Sequence, residues 1–478
     1  MRISVQPERR ALRQIYHLFD LSSLSISSVG PIFSVAAAGG AMAQAAGAAV
    51  PLAILLIAVP FILCSWIFLS LNQHFPNAGA SYHWSRRVIG IDFSNFQAWV
   101  VVMAYFWSIP PILIPAARFT LETLGNPAPG AGALVLVAMG WALFAALVLL
   151  FGARMTARVT QIFLVIEVVS VGFVAVLGYG AWGHAAPGAA GFSLHHVRWS
   201  GVIVCMVLAA TIVDGWEIDS YASEEARRPR LTPGWGGVIG VVSVVVYYLL
   251  IWPLLLHQVP LAALAHSPDT LSLWARTVAP GFLPWMRVAI IASTAGGLWL
   301  TTYILSRALY AMARDGVMPR LFGVLNRQHV PVWAIIGPIG AAVAVVMVQM
   351  VFPAVQGLFA LVLSAAGFFL VAEFWLDGVT MLVFLLRRHG EVRHRVRGHH
   401  HLGLLLAAVL VVVGLALVDG LFVIEGPVYI QAGVDRTILL LLGLGVVFTL
   451  GLRARKSGRL MFVFHGAAVE APKRVAPE

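Results

Sequence analysis

Twelve times along this chain, a run of apolar residues long enough to cross a lipid bilayer is followed by a short polar turn. A membrane-spanning helix needs about 20 such residues. A chain that repeats the requirement twelve times has one workable solvent, because a globule of this length cannot bury so much apolar surface. The runs lie near 18–46, 50–71, 92–117, 131–151, 157–180, 199–221, 234–256, 284–312, 332–351, 355–386, 401–421 and 437–453. The linkers "NQHFPNAGAS", "LGNPAPGAG", "GHAAPGAAG", "ARRPRLTPG" and "HSPDT" hold the turn formers, and none could be a soluble domain. Only 11% of the 478 residues are charged, where a soluble domain carries about 25%. The sequence therefore predicts an all-α integral membrane protein with the lipid bilayer as its surroundings. The arm at 1–17 is basic, but the apolar run behind it outlasts the roughly 7–15 residues of a cleavable signal, so the first span is expected to be retained. The arm and the tail at 454–478 are expected to be polar and mobile.

Charge tests the span count. Cytoplasmic loops collect Lys and Arg. With the N-terminus inside and twelve crossings, all but five of the 31 Lys and Arg fall on inner segments; Arg118, Arg198, Arg276, Arg287 and Arg436 are the exceptions. One span more or fewer would invert every later loop, so both termini are expected to be cytoplasmic, in the cell membrane. The net charge of +11 follows this placement and gives no nucleic-acid signal. Cys64 and Cys205 lie in apolar runs and read as small core residues.

Two spans look interrupted. The first holds Gly30–Pro31 at its middle, within "SISSVGPIFSVAAAGG". Proline removes a backbone donor and disfavours helical geometry for the residue before it. The sixth holds Asp214–Gly215, well before its apolar run could have crossed. Each break alone also fits a packing kink. Five spans apart, they occupy corresponding positions in two five-helix repeats, near 18–180 and 199–386, the pattern that points to a transporter site. The ten-helix core would cover 18–390, and two peripheral helices 391–453.

At such breaks backbone groups lose their helical partners, which is tolerated in lipid only where protein or a cavity covers them. Freed amides suit a carboxylate and freed carbonyls suit an ammonium. The expected carboxylate donors are the amides around Ser28, Val29 and Gly30, and the expected amine acceptors are the carbonyls from Thr211 to Val213. Asp214 either caps the second half-helix or contacts a cationic group directly. Glu217 and Asp219 lie a turn deeper and could bond inner-loop groups or form part of an inner gate; Glu224, Glu225, Arg227, Arg228 and Arg230 read as a solvated, salt-bridged cluster. Glu167, some ten residues into the fifth span, has no neutralising neighbour in sequence and is a candidate proton or cation site; the alternative is a protonated acid bonded to a neighbouring helix. Glu373 and Asp377 in the tenth span carry the same two readings.

What is missing also narrows the function. The sequence contains no HExxH, GxSxG or phosphate-loop motif, and all 15 histidines sit at span edges or in loops. No metal, cofactor or catalytic set is expected, which argues against an ATP-driven pump and an intramembrane hydrolase. "RGHHH" at 397–401 reads as a hydrated basic loop or a metal-binding run.

Four stretches together resemble the amino acid–polyamine–organocation (APC) superfamily of permeases: the Gly30–Pro31 break; "FPNAGASYHWSRRVIG" at 75–90; Gly215–Trp216–Glu217 followed by "SEEARRPRLTP"; and "SRALYAMARDGVMPRLFGVLNRQHVPVWAI" at 306–335. The resemblance covers roughly 15–380 and implies a LeuT-type fold with two inverted five-helix repeats plus two peripheral helices. It implies uptake or exchange of an amino acid or related amine, with backbone contacts at Ser27, Ser28, Val29 and Gly30 and along Thr211, Ile212, Val213, Asp214 and Gly215. The chain departs from the family in three ways. The aromatics that usually precede the Gly-aromatic-Glu motif are absent, so a lid over the substrate is sought in Trp107, Trp216 or Trp299. Asp214 stands where the family has a small or neutral residue. Glu167 aligns where many sodium-independent members carry a lysine, which inverts the sign of the charge. The resulting expectation is a secondary transporter, proton-coupled or an exchanger. A transporter-like sensor that binds an amino acid without moving it is the alternative, and a membrane enzyme is more distant still.

Overall fold

The computed structural model describes residues 11–183, 185–190, 197–387, 398–429 and 432–456. Among them the regular structure is helical, with two isolated β-bridges. Eleven helical stretches are long and apolar enough to cross a membrane. One of these, Leu18–His74, runs for 57 residues, or about 86 Å at 1.5 Å per residue, far beyond the roughly 30 Å of a bilayer core. It is divided: α1 (Leu18–Val29) and α2 (Pro31–Ala46) meet at Gly30, and α3 (Val50–His74) follows a short turn at Gly47.

After α3 comes the amphipathic α4 (Ala80–Val88), then α5 (Ile91–Ser108) and α6 (Pro110–Thr123). The expected third span is one stretch, Ile91–Thr123, in which the two helices meet at Ile109, where Pro110 and Pro111 withhold two amides. α7 (Ala131–Leu150), α8 (Ala153–Gly180) and α9 (Trp199–Val213) follow, then the four-residue α10 (Ile218–Tyr221) and α11 (Thr232–Gln258). The linker after α11 is itself folded, into α12 (Leu261–Ala265) and α13 (Thr270–Val278), the latter capped by Asp269 accepting from the Ser272 amide at 2.9 Å. α14 (Leu283–Arg314), α15 (Val332–Val351), α16 (Pro353–Arg387), α17 (Gly398–Tyr429) and α18 (Val434–Lys456) complete the chain.

Packing sorts these helices. α1 and α14 lie inside, with α14 buried on nearly every face. α7, α8 and α18 turn bare apolar side chains outward, among them Leu136 (70% exposed), Val176 (71%) and Leu439 (61%), as lipid-facing helices do. α1 and α11 approach closely: a Cβ on Gly240 would lie 2.0 Å from the Ser25 hydroxyl oxygen. Cys64 and Cys205 are buried free thiols.

Two expectations are corrected at the end of the molecule where α1 begins. The last residues of the N-terminal arm are anchored, not loose: Tyr16 is fully buried, pairs in parallel with Ala226, and donates its hydroxyl to the Ala153 carbonyl at 3.1 Å. Glu225 is not solvated. It is 1% exposed, pairs with the fully buried Arg307 at 3.0 Å, and accepts from the Tyr303 hydroxyl. Glu224 does pair near the surface, with Arg314 at 2.5 Å. The C-terminal tail, the basic loop at 388–397 and the side chains of 398–400 lie outside the described residues.

Candidate functional site

Both interruptions are real, and they touch. Gly30 adopts the left-handed conformation (φ +56°), with Pro31 opening α2. In the sixth span α9 stops at Val213, Asp214 is extended (ψ 153°), and Gly215 has φ +116°. Gly215 is pressed against the first break: a Cβ there would fall 2.9 Å from the Ser28 carbonyl carbon and oxygen and 3.0 Å from the Val29 nitrogen. Only a residue without a side chain permits this approach. The Ser25 hydroxyl donates to the Trp216 carbonyl at 2.8 Å and ties the two breaks together on the α1 side.

The freed backbone groups are partly used. Ser28 and Val29 form the last turn of α1, and the Gly30 amide donates to the Ser27 carbonyl at 3.1 Å. In the first turn of α2 Pro31 has no amide hydrogen and the Ser34 amide donates to the Gly30 carbonyl at 2.8 Å, so Ile32 carries the open amide, beyond where the sequence suggested. There the Phe33 amide donates to the Ser293 hydroxyl at 3.1 Å. At the end of α9 the Ile212 carbonyl accepts the Tyr248 hydroxyl at 2.5 Å, while no donor among the described residues reaches the carbonyls of Thr211 and Val213. The Gly215 amide is held by Glu217 Oε2 at 2.9 Å.

Beside the contact lies a cavity of about 400 Å³, within the range of small-molecule sites. Ser28, Val29 and Gly30 line it from one break, and Thr211, Ile212, Asp214 and Gly215 from the other. It extends along α2, α6 and α9, away from α1 and α10. Among the described residues, Asp214 is the sole charged side chain in its wall. Three polar atoms at this wall are buried without a protein partner: Ser28 Oγ, Trp107 Nε1 and Asp214 Oδ1. Buried polar atoms are nearly always satisfied, so three at one wall set it apart.

The other candidates are dispersed. Ser27 turns from the cavity and donates to Glu167 Oε1 at 3.2 Å. Glu167 is 1% exposed and accepts a second bond at Oε2 from Ser293, at 3.1 Å. Val213 is fully buried outside the lining. Trp216 and Trp299 are not at the cavity. Trp216 packs between Phe68 and Phe374, at centroid distances of 5.0 and 5.4 Å, and Trp299 donates to Thr160 and packs on Phe163. Of the three tryptophans, Trp107 alone lines the space. Glu217 sits beneath it, accepting from the Tyr105 hydroxyl at 2.9 Å. The sequence reading missed Phe33, Tyr105 and Ser293; a lone polar or aromatic residue in an apolar run was the available signal for each, and it is a weak one.

The profile of the amino acid permease family matches residues 16–447. The branched-chain amino acid permease BcaP of Lactococcus lactis subsp. cremoris is 23% identical over 93% of this chain and 96% of its own. The methylthioribose transporter of Bacillus subtilis is 22% identical over 68% of this chain and 72% of its own, and cationic amino acid transporter 4 of Mus musculus 24% over 68% and 54%.

Proposed function

The chain belongs to the amino acid permease family of the APC superfamily, and from that premise we propose that it is a secondary active transporter. It moves an amino acid or related amine by alternating access, with twelve crossings, a LeuT-type pair of five-helix repeats and both termini in the cytoplasm of a cell-membrane protein. One observation carries the reading: two broken helices in contact, beside a cavity whose wall holds three unpartnered polar atoms. The α-carboxylate meets the Ile32 amide and competes with Ser293 for the Phe33 amide at the start of α2, and the amine meets the carbonyls ending α9. A cavity with one acid and no base favours a substrate carrying a further positive charge at Asp214.

Glu167 is the proton-coupling group in this reading. Ser293 links it to the substrate position, because one hydroxyl accepts from the Phe33 amide and donates to Glu167. A carboxylate arriving at α2 competes for that amide and so alters the environment of Glu167. Counterflow of labelled amino acids in proteoliposomes tests the proposal. Accumulation against an internal pool of the same amino acid is expected. Saturable binding without counterflow would replace the transporter with a sensor.

A further inference from the structure

A second set of buried acids lies on the α1 side of the breaks. Glu373 and Asp377, one turn apart on α16, are both fully buried. The Ser81 hydroxyl on α4 lies 2.9 Å from Glu373 Oε1 and 2.7 Å from Asp377 Oδ2. The Tyr221 hydroxyl on α10 lies 2.5 Å from the same Glu373 Oε1. Gln97 on α5 donates to Asp377 Oδ1 at 2.9 Å.

Counting hydrogens constrains this cluster. Three oxygen–oxygen hydrogen bonds meet here, and each needs one proton. Serine and tyrosine bring one each. The third has no source except a carboxyl group. Either Asp377 donates to Ser81, which donates to Glu373, or the order runs the other way. The pair therefore holds at least one proton, and with one it carries a single negative charge. Glu373 Oε2, independently, is buried with no donor, an unpartnered oxygen at which a further proton can bind.

We propose that Glu373, Ser81 and Asp377 form a proton-binding site distinct from Glu167, in which two carboxyls share one proton across a serine. Exchange between the two states is balanced: as the Asp377 proton passes to Ser81 Oγ, the Ser81 proton passes to Glu373 Oε1. The site is wired to the cavity. Tyr105 lines the cavity and bonds Glu217; its ring packs on Tyr221 at 5.8 Å, and Tyr221 bonds Glu373. Any movement of α10 changes the donors on Glu373 and hence its hold on the proton. By reciprocity the proton biases the position of α10; this link rests on the transporter reading, whereas the shared proton does not.

The surroundings contribute little opposing charge. Of the helices packed on α16, α3 carries Cys64 and His74, α5 Tyr105, α9 Cys205 and α17 Asp419, and the break after α9 carries Asp214 and Glu217. On α4, Tyr82 and Arg86 turn to Asp315 and Arg87 is exposed; His83 is partly buried. On α18, Arg453 is exposed and pairs with Asp92.

Infrared spectroscopy of the purified full-length protein in lipid tests the pair through the C=O stretch of protonated carboxyl groups at neutral pH. Glu373→Gln and Asp377→Asn are each expected to remove the same one-carboxyl intensity, and the double variant no more than either single. Loss in only one single variant, or twice the loss in the double, overturns sharing. Should a variant not fold, Ser81→Ala keeps both acids and removes the bridge. The pH midpoint of counterflow is then expected to move by one unit or more, a tenfold change in proton concentration; an unmoved midpoint overturns the link to transport. Wild-type protein without counterflow at any pH would sink the transporter reading while the infrared bands still decide the pair.

Discussion

Replacing Gly215 with alanine tests the contact on which the site depends. Two costs arise together. At φ +116° an L-residue is outside its allowed regions, which costs on the order of 1–3 kcal/mol. The new Cβ also lies 2.9 Å from the Ser28 carbonyl group, and backbone cannot rotate away as a side chain can. Relief requires separating the two breaks, which dismantles the cavity wall. Gly30→Ala is the internal control. Its φ of +56° lies in the left-handed region that other residues enter for about 1–2 kcal/mol, and its Cβ would meet the Ser293 carbonyl at a tolerable 3.4 Å. About 3 kcal/mol or more is therefore expected for Gly215→Ala and about 1–2 for Gly30→Ala, or over a hundredfold against roughly tenfold in binding. Ligand-induced thermal stabilisation of the detergent-purified protein, with gel filtration to confirm folding, reads both. Wild-type binding by Gly215→Ala, or greater damage from Gly30→Ala, would refute the reasoning.

Asp214→Asn is expected to weaken cationic substrates roughly ten- to a hundredfold, the worth of about 1.5–3 kcal/mol for a charge-assisted bond, and neutral ones less; equal loss in competition uptake rejects charge recognition there. Glu167→Gln is expected to abolish the pH dependence of uptake with folding retained, and an unchanged pH profile in proteoliposomes removes that role. Arg307→Ala leaves Glu225 buried and unpaired, so stability is expected to fall by about 3–5 kcal/mol; adding Glu225→Gln should restore most of it, and a melting temperature equal to wild type for the single variant would contradict the buried pair.

Local chemistry made the helices and their breaks legible. Gly30–Pro31 and Asp214–Gly215 interrupt a helix for reasons contained in a few residues, and both breaks lie where those residues are. "SIPPILIP" carried an equally local signal for the junction of α5 and α6 at Ile109, inside the span read at 92–117. Contacts between distant residues were not legible. Glu225 and Arg307 are 82 positions apart, and no pattern in either stretch announces the other. The orientation of a side chain around a helix in lipid is hidden for a similar reason. In soluble helices polarity marks the outer face, but here both faces are apolar, so Trp107 at the cavity and Trp216 in the packed interior look alike in sequence.

The molecule is asymmetric about the breaks, and that asymmetry has an energetic logic. On the α2 and α9 side lies the mostly apolar cavity. On the α1 and α10 side lie Arg307, Glu225, Tyr303 and Tyr16, all buried. Alternating access, as proposed, requires that this side also open. An apolar plug would oppose opening by the full cost of wetting its surface. A buried ion pair opposes it less, because the penalty paid to strip water from the two charges is returned when water re-enters. The attraction between Arg307 and Glu225 is strong only while the space stays dry and fades as it fills. Such a pair holds one state firmly at close range yet adds little to the energy of the other, as a closure that must open and shut in each cycle requires.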